Sequence, residues 1–150
     1  LAKDFFELPQ ASNIIESSGW KFVQSCDRKF DIVFVDLFDE NGHLACMGEP
    51  QFYTDLSSIV AGSGLIVIDI APSDEDALLS ILLAIRPAFH QVLLATDSES
   101  SDMVLICSRD PFPAIAQALN RAEQLRSYLG IDFRESIQRF SKLPTPVLSE

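Results

Sequence analysis

Hydrophobic residues are concentrated most clearly in the segment FDIVFVDLFD, which occupies positions 30–39. Its apolar run ends in two carboxylates, Asp36 and Asp39, and the loop-forming Glu40-Asn41-Gly42 follows. A continuous Ile/Val/Phe run of this length is typical of a strand that is buried on both faces, as in a parallel sheet covered by helices. Ligands of open α/β sheets bind just beyond the carboxyl ends of such strands, so Asp36 and Asp39 are candidate functional residues. The alternative is that both are solvated loop acids or turn caps.

The rest of the pattern predicts alternating helices and strands. We expect further strands at 13–16, 64–69, 91–96 and 103–108, and helices at 19–25, 49–60, 74–85, 112–128 and 133–140. Pro50 suits the first turn of the second helix, Ser73 is expected to cap the third, and Gly130 is expected to end the fourth. Gly62 and Gly64 are expected to form a turn in which glycine relieves a positive φ.

This order of elements predicts one α/β domain with a doubly wound sheet. The sheet is expected to be mostly parallel and to end in an antiparallel hairpin formed by 91–96 and 103–108. We expect residues 1–143 to form this single domain and 144–150 to form a tail. The chain begins at Leu1 without Met, in a segment that resembles the end of a helix stopped by Pro9. It is therefore expected to be the C-terminal portion of a longer protein.

Composition narrows the classes of partner. A net charge of −11 over 150 residues argues against nucleic acid, whose phosphates normally meet a basic face. The acidity is compatible with a cationic ligand such as an amine, although it also serves solubility alone. No apolar run approaches the roughly 18 residues of a membrane span, and no signal peptide opens the chain. No membrane partner is expected, and a cytoplasmic location is the default expectation.

Cysteine and histidine give no sign of a metal site. Cys26, Cys46 and Cys107 are widely spaced and form no Cys-x-x-Cys pair, and the two histidines are far apart in the sequence. We expect no bound metal and no disulfide framework.

Three segments carry a resemblance to a known family: positions 30–39, the pair Phe52-Tyr53, and positions 62–68 with the sequence GSGLIVI. Together with the opening Phe5-Phe6-Glu7-Leu8-Pro9, they resemble the spermidine synthase branch of the class I S-adenosylmethionine-dependent methyltransferases. The resemblance covers roughly residues 1–109. It implies a Rossmann-like sheet and S-adenosylmethionine, or its decarboxylated form, as co-substrate. The implied reaction is aminopropyl transfer to a diamine.

The resemblance also assigns roles to individual residues. Asp36 matches the base that deprotonates the attacking amine, and Asp39 matches the acid that holds the far ammonium group of a diamine. Ser18 falls at the position of the adenine-contacting acid, so Ser18, Gly19 and Asp36 are the expected cofactor-binding residues. A carboxylate near the amine makes chemical sense, because an amine is nucleophilic only when it is neutral.

Two further residues are candidates for substrate binding. Asp69 ends the strand predicted at 64–69, so it is expected to face the same crevice as Asp36; the alternative is a cap for the turn at Pro72-Ser73. Tyr53 is a candidate for reaching a ligand pocket, with packing in the core as the alternative.

The sequence departs from the family pattern near the site. Leu37-Phe38 replaces a Ser-Ser pair, and the substrate loop expected near the hairpin is polar at positions 96–102. The glycine-rich cofactor loop and the ribose-binding acid would precede Leu1, and the sheet would lack its first two strands. We therefore expect an exposed apolar edge, which invites pairing with another chain, for example in a homodimer.

Three functions remain open at this point. The first is aminopropyl transfer, which Asp36 and Asp39 favour. The second is methyl transfer to another acceptor, and the third is a non-catalytic scaffold for binding or dimerisation. Leu37-Phe38 favours the second or the third.

Overall fold

A five-stranded mixed sheet organises the chain in a computed structural model that describes residues 13–39, 42–43, 45–96 and 103–144. The described helices are α1 (Gly19–Ser25), α2 (Pro50–Ile59), α3 (Glu75–Ile85), α4 (Ile115–Leu129) and α5 (Arg134–Gln138), with a 3₁₀ turn at Ala45–Gly48. The strands are β1 (Phe30–Asp36), β2 (Phe38–Asp39), β3 (Gly42–His43), β4 (Val60–Ile70), β5 (Gln91–Thr96), β6 (Met103–Ser108) and β7 (Phe140–Lys142). The order in the sheet is β1-β4-β6-β5-β7, and β2 and β3 form a separate antiparallel pair.

The predicted α/β class is confirmed, but the expectation of a mostly parallel sheet is wrong. Among the described strands only β1 and β4 pair in parallel, whereas β4–β6, β5–β6 and β5–β7 are antiparallel. The cause is the position of β6, which returns between β4 and β5 and runs opposite to both. The predicted hairpin of β5 and β6 is confirmed, and β7, which was not predicted, adds a third strand beside β5.

The main core lies on one face of the sheet. The register places Val35, Ile68 and Leu105 in one row across β1, β4 and β6, and all three are buried. Side chains from two helices complete this core: Phe52, Leu56 and Ile59 from α2, and Ile81, Ala84 and Ile85 from α3. Burial of these apolar side chains is the main force that holds α2 and α3 on the sheet.

The opposite face of the sheet is covered unevenly. Phe34, Val67 and Ile106 form the row next to the buried one, because successive side chains on a strand point to opposite faces. At the β5 side, the beginning of α4 covers Ile106 and encloses an apolar cavity of about 490 Å³ that Ile115 also lines. At the β1 side, Phe34 is 75% exposed.

This exposure corrects the prediction for β1. The strand exists, but it lies at the margin of the described sheet and pairs only with β4 among the described residues. Ile32 is 52% exposed, so the apolar run does not mark a strand buried on both faces. Within the described residues, the side of β1 away from β4 has no strand neighbour; the expectation that this edge of the sheet is exposed stays a prediction.

Gly62 and Gly64 lie within β4 and do not form the predicted turn. β4 begins at Val60 and continues through Gly62 and Gly64, neither of which has a positive φ. A Cβ atom on Gly64 would lie 2.9 Å from the carbonyl oxygen of Asp31 and 2.7 Å from Cγ1 of Val60. Glycine is needed at 64 because β1 and β4 approach closely there, where their register is irregular.

Several smaller predictions are confirmed or corrected. α1, α2 and α4 lie where expected, and Gly130 ends α4 with a φ of 73°. The N-cap of α3 is Asp74, not Ser73, because the Asp74 carboxylate accepts a hydrogen bond from the Ala77 amide at 2.8 Å. Residues 13–16 form no strand, since none of the described strands pairs with them.

Some predictions concern residues outside the described ranges. These are the helix end before Pro9, the family-like segment at 5–9, the polar loop at 97–102, the turn residues Glu40 and Asn41, and the tail from 145 onward. In the part of the chain that the structure describes, no helix is both long and apolar enough to cross a bilayer.

Candidate functional site

Two of the predicted site carboxylates lie side by side at the carboxyl end of the parallel pair. Asp36 is the last residue of β1, and its register partner on β4 is Asp69. Neighbouring strands are about 4.8 Å apart, so the two residues are adjacent across the sheet. Asp36 is exposed and Asp69 is half-buried. The prediction that these strand ends share one crevice therefore has a structural basis.

An outer cavity of about 270 Å³ adjoins these carboxylates on the less covered face. It is lined by Phe34, Val35, Asp36, Val67, Asp69 and Val104. The register explains this set, because Phe34 pairs with Val67, and Asp69 pairs with both Asp36 and Val104. A row of carboxylates thus borders a row of apolar side chains.

An inner cavity of about 280 Å³ meets Asp36 from the other side. Its lining includes Gly19 at the start of α1, Leu37 directly after β1, and the side chains of Phe52 and Leu56 from α2. A Cβ atom on Gly19 would lie 3.4 Å from Cδ2 of Leu37, an ordinary van der Waals distance, so Gly19 and Leu37 are neighbours at this cavity. Of the described residues that border both the inner and the outer cavity, Asp36 is the polar one.

A hydrogen-bond cluster fixes the position of α1 and hence of Gly19. The indole Nε1 of Trp20 donates to Oδ2 of Asp55 at 2.7 Å, and Nε2 of Gln24 donates to the same oxygen at 3.1 Å. Nε2 of Gln51 donates to Oδ1 of Asp55 at 2.6 Å. The bond from Trp20, with smaller contributions from Gln51 and Gln24, lowers the pKa of the Asp55 carboxyl. Trp20 also packs edge-to-face on Phe52, with ring centroids 5.9 Å apart.

Ser18 and Asp39 are close in sequence to residues that line the inner cavity: Ser18 precedes Gly19, and Asp39 follows Leu37 by two positions. Ser18 is the exposed N-cap residue of α1, where its carbonyl accepts a hydrogen bond from the Phe22 amide at 3.0 Å. Its side chain makes no capping hydrogen bond. Asp39 lies in β2, three positions beyond Asp36, and pairs with Gly42 of β3. The roles of Ser18 and Asp39 in ligand binding stay predictions.

Tyr53 lies in the core and lines neither of the cavities that contain Asp36. Its hydroxyl donates to the carbonyl oxygen of Met47 at 2.7 Å, and burial raises its pKa. The structure thus gives Tyr53 the packing role that was the alternative at the sequence level. It anchors the 3₁₀ turn that leads into α2.

Sequence reasoning missed the apolar residues of the outer cavity. Phe34, Val67 and Val104 were assigned only to strand interiors, yet they line the same space as Asp36 and Asp69. The alternation of side chains along a strand was enough to predict Phe34 as a lining residue, because Phe34 precedes Asp36 by two positions and lies on the same face. Val104 depends on the register between β4 and β6, which no local pattern encodes.

Metal ligation has no support in the described part of the chain. Within residues 13–39, 42–43, 45–96 and 103–144, no group of three or more His, Cys, Asp or Glu side chains is placed to hold a metal ion.

Solved structures define the fold to which this arrangement is similar. The human Methyltransferase-like protein 13 in complex with SAH superposes with a TM-score of 0.74 at 17% identity, covering 87% of this chain and 65% of that chain. A probable spermidine synthase from Corynebacterium glutamicum gives a TM-score of 0.67 at 16% identity, covering 85% of this chain and 55% of that chain. The chain therefore has the fold shared by these methyltransferase and spermidine synthase structures.

A curated relative narrows the resemblance. Over 55 residues the chain is 36% identical to the polyamine aminopropyltransferase of Thermoplasma volcanium. This match covers 37% of this chain and 20% of the relative. The chain spans about a fifth of the length of that relative, and no family model matches it. The resemblance to spermidine synthase-like proteins of the methyltransferase superfamily is confirmed.

Proposed function

We propose that the chain contributes to aminopropyl transfer from decarboxylated S-adenosylmethionine to an amine, with Asp36 as the general base. The observation that carries this proposal is the position of Asp36 between two cavities, one with Gly19 and one with Asp69. A residue in that position meets a donor on one side and an acceptor on the other. The similarity to a polyamine aminopropyltransferase supports the same reaction.

The inner cavity suits one part of a nucleoside-sized donor. Its volume of about 280 Å³ is just below the roughly 300–1,000 Å³ typical of small-molecule sites, and Gly19, which has no side chain, is one of its lining residues. Ser18, Gly19 and Asp36 are the proposed donor-binding residues. When bound, the donor supplies an aminopropyl carbon attached to a positively charged sulfur, which departs as a neutral thioether with the electron pair of the broken carbon–sulfur bond.

The chain's own residues handle the amine and its proton. The lone pair of the neutral acceptor nitrogen forms the new carbon–nitrogen bond, and the Asp36 carboxylate accepts the proton that the nitrogen then releases. Asp69, adjacent to Asp36 on β4, is the proposed residue that orients the amine. Asp39 is the proposed partner of a second ammonium group when the acceptor is a diamine.

Methyl transfer from S-adenosylmethionine is the second candidate. It is favoured by Leu37, which stands where the aminopropyltransferase pattern has a serine and which packs against Gly19 at the inner cavity. A third outcome is a non-catalytic protein, including a homodimer, that keeps the scaffold without turnover.

Calorimetric titration separates these functions. The chain is titrated with decarboxylated S-adenosylmethionine and, separately, with S-adenosylmethionine. Tighter binding of the decarboxylated donor supports aminopropyl transfer, and tighter binding of S-adenosylmethionine supports methyl transfer. Binding of neither rejects both enzymes.

A matched pair of variants tests the role of Asp36. Asp36→Asn is expected to reduce turnover by about 100-fold or more while donor affinity changes little, because the base is lost but the shape of the site is kept. Asp31→Asn, on the same strand but remote from its carboxyl end, is the control and is expected to leave turnover unchanged. Equal turnover in the wild type and Asp36→Asn rules out Asp36 as the base.

A further inference from the structure

The apolar cavity of about 490 Å³ beneath the start of α4, the α4 cavity, is separate from the site at Asp36. It shares no lining residue with the inner or the outer cavity, and every residue that lines it lies in the described part of the chain. Its floor is one row of the sheet, in which Ile106 of β6 pairs with Leu93 of β5, and Leu93 pairs with Lys142 of β7. The α4 cavity is therefore a feature of the opposite end of the sheet from β1.

The two faces of the sheet are packed differently at this end. On the core face, Val92, Leu105 and Cys107 are at most 1% exposed. Their neighbours on the outer face, Leu93 and Ile106, are only half-buried, although both lie within strands that have neighbours on both sides. The start of α4 thus covers this face without filling the space against it. An unfilled apolar space forgoes the van der Waals contacts that a packed interior makes.

The size and lining of the α4 cavity suit an apolar ligand. Its volume lies within the roughly 300–1,000 Å³ that is typical of small-molecule sites. An apolar cavity of only about 150 Å³ with a similar lining is enough to bind benzene. Every lining residue except Lys142 is apolar, and Phe112 and Phe140 add aromatic rings. Ile115 is 58% exposed, so the cavity meets solvent beside the first turn of α4.

Lys142 gives the α4 cavity one charged end. It is an exposed residue, so its carbon stem can cover apolar surface while its ammonium group stays in water. The chain as a whole has a net charge of −11, which disfavours anions in general, so this lysine is a local exception. A carboxylate can pair with the ammonium group without losing its contact with solvent, and such a pair avoids the cost of a buried charge.

We propose that the α4 cavity binds a small carboxylate with an apolar body, such as a medium-chain fatty acid. The apolar body lies on Leu93 and Ile106 beneath the first turn of α4, and the carboxylate pairs with Lys142. Aminopropyl transfer is not a premise of this proposal, because the residues of the α4 cavity belong to neither cavity that contains Asp36.

Calorimetric titration of the full chain with octanoate, octan-1-ol and acetate tests the proposal at neutral pH. Octanoate and octan-1-ol share an apolar body, and octanoate and acetate share a charge. Octanoate is expected to bind about fivefold more tightly than octan-1-ol, the upper range for an exposed ion pair. Acetate is expected to bind at least about 100-fold more weakly than octanoate, because each buried methylene group strengthens binding by about fourfold.

Two variants with matched controls locate the ligand. Lys142→Gln is expected to reduce octanoate affinity to that of octan-1-ol, whereas Lys21→Gln, on an exposed lysine of α1, is expected to change neither affinity. Ala118→Phe places a ring in the α4 cavity and is expected to weaken octanoate and octan-1-ol by about tenfold or more. Ala116→Phe is its control, because Ala116 is an exposed residue of the same helix that does not line the cavity. Circular dichroism of each variant verifies that the fold is kept.

Each contrary outcome overturns a stated part of the proposal. Equal affinities of the wild type for octanoate and octan-1-ol overturn the carboxylate, as does an octanoate affinity that Lys142→Gln leaves unchanged. Octanoate binding that survives Ala118→Phe in a folded protein overturns the α4 cavity as its site. If octanoate does not bind at all, the whole proposal is wrong. Failure of both sulfonium donors to bind overturns only the proposed function at Asp36.

Discussion

At the scale of single residues, Asp55 shows how one carboxylate connects two helices. It accepts hydrogen bonds from Trp20 and Gln24 of α1 and from Gln51 of α2. The bond from Trp20 spans 35 residues of sequence, so it fixes α1 against α2 and places Gly19 at the inner cavity. The contact is partly exposed, so solvent limits its contribution to stability.

Asp55→Asn is expected to lower the free energy of unfolding by about 1 kcal/mol at neutral pH. This is less than the roughly 1.5–3 kcal/mol of hydrogen bonds to charged groups, because solvent screens this exposed carboxylate. Because the pKa of Asp55 is lower in the folded state, its stabilisation is complete above the ordinary aspartate pKa of 3.8. It is lost as the pH falls through the folded-state pKa. Urea unfolding at neutral pH and at about pH 2 measures this, with the difference between wild type and variant shrinking in acid. Asp27→Asn, on an exposed residue, is the control. A difference that does not depend on pH would contradict the charge-based explanation.

Tyr53 gives a second prediction at this scale. Tyr53→Phe leaves the carbonyl oxygen of Met47 without the donor that it has at 2.7 Å, in a buried setting. A loss of about 1–2 kcal/mol in the free energy of unfolding is expected. The matched control is Tyr128→Phe, because Tyr128 is 86% exposed and its hydroxyl meets solvent. Equal urea midpoints for the two variants would show that the Tyr53 bond does not stabilise the fold.

Single residues also show what the sequence reveals about the site. Asp36 was identified as a candidate because a carboxylate that ends an apolar run is visible in the sequence itself. Its adjacency to Asp69 followed from the general geometry of parallel strands, and the register bears it out. The apolar lining was not found, because strand patterns alone do not say which face remains open.

At the scale of secondary-structure elements, the contact between β1 and β4 depends on a missing side chain. Gly64→Ala places a methyl group 2.9 Å from the Asp31 carbonyl oxygen and 2.7 Å from Cγ1 of Val60. Overpacking of this kind costs typically about 1–3 kcal/mol. Gly62→Ala is the control, since a Cβ there meets nothing within 4 Å, and its effect is expected to stay within about 0.5 kcal/mol. Thermal unfolding of both variants measures these effects. Equal losses of stability would mean that the backbone freedom of glycine, and not the lack of space for a Cβ atom, explains the glycine at 64.

Helices were easier to predict than strands for a physical reason. Pro50 and Gly130 mark helix ends through local backbone chemistry, so α2 and α4 were placed within a few residues. β7 escaped prediction, and 13–16 was wrongly predicted, because a strand exists only where another strand pairs with it. That pairing is set by residues far away in the sequence.

At the scale of the whole molecule, the apolar run and the family resemblance gave opposite predictions for β1: the run predicted a strand buried on both faces, and the resemblance predicted an exposed edge. Its composition fits a buried strand, and only the sheet order places it at the margin, with Phe34 and Ile32 exposed. The chain covers 65% and 55% of the two solved chains to which it is similar. The hydrophobic pattern of β1 alone does not say where the strand lies in the sheet, because that position depends on the pairing of strands that are distant in sequence.

Hydrogen exchange, followed residue by residue, tests this architecture. β4 and β6 have strand neighbours on both sides, so their amides are expected to exchange slowest, near the rate of global unfolding. β1 pairs only with β4 among the described residues, so about every second amide of β1 points away from its partner strand. These amides are expected to exchange much faster than the β1 amides that are hydrogen-bonded to β4. Repeating the measurement at several dilutions separates an open edge from one covered by association. If all β1 amides are as protected as those of β4 at every dilution, another part of the same chain covers that edge and the margin assigned to β1 is wrong.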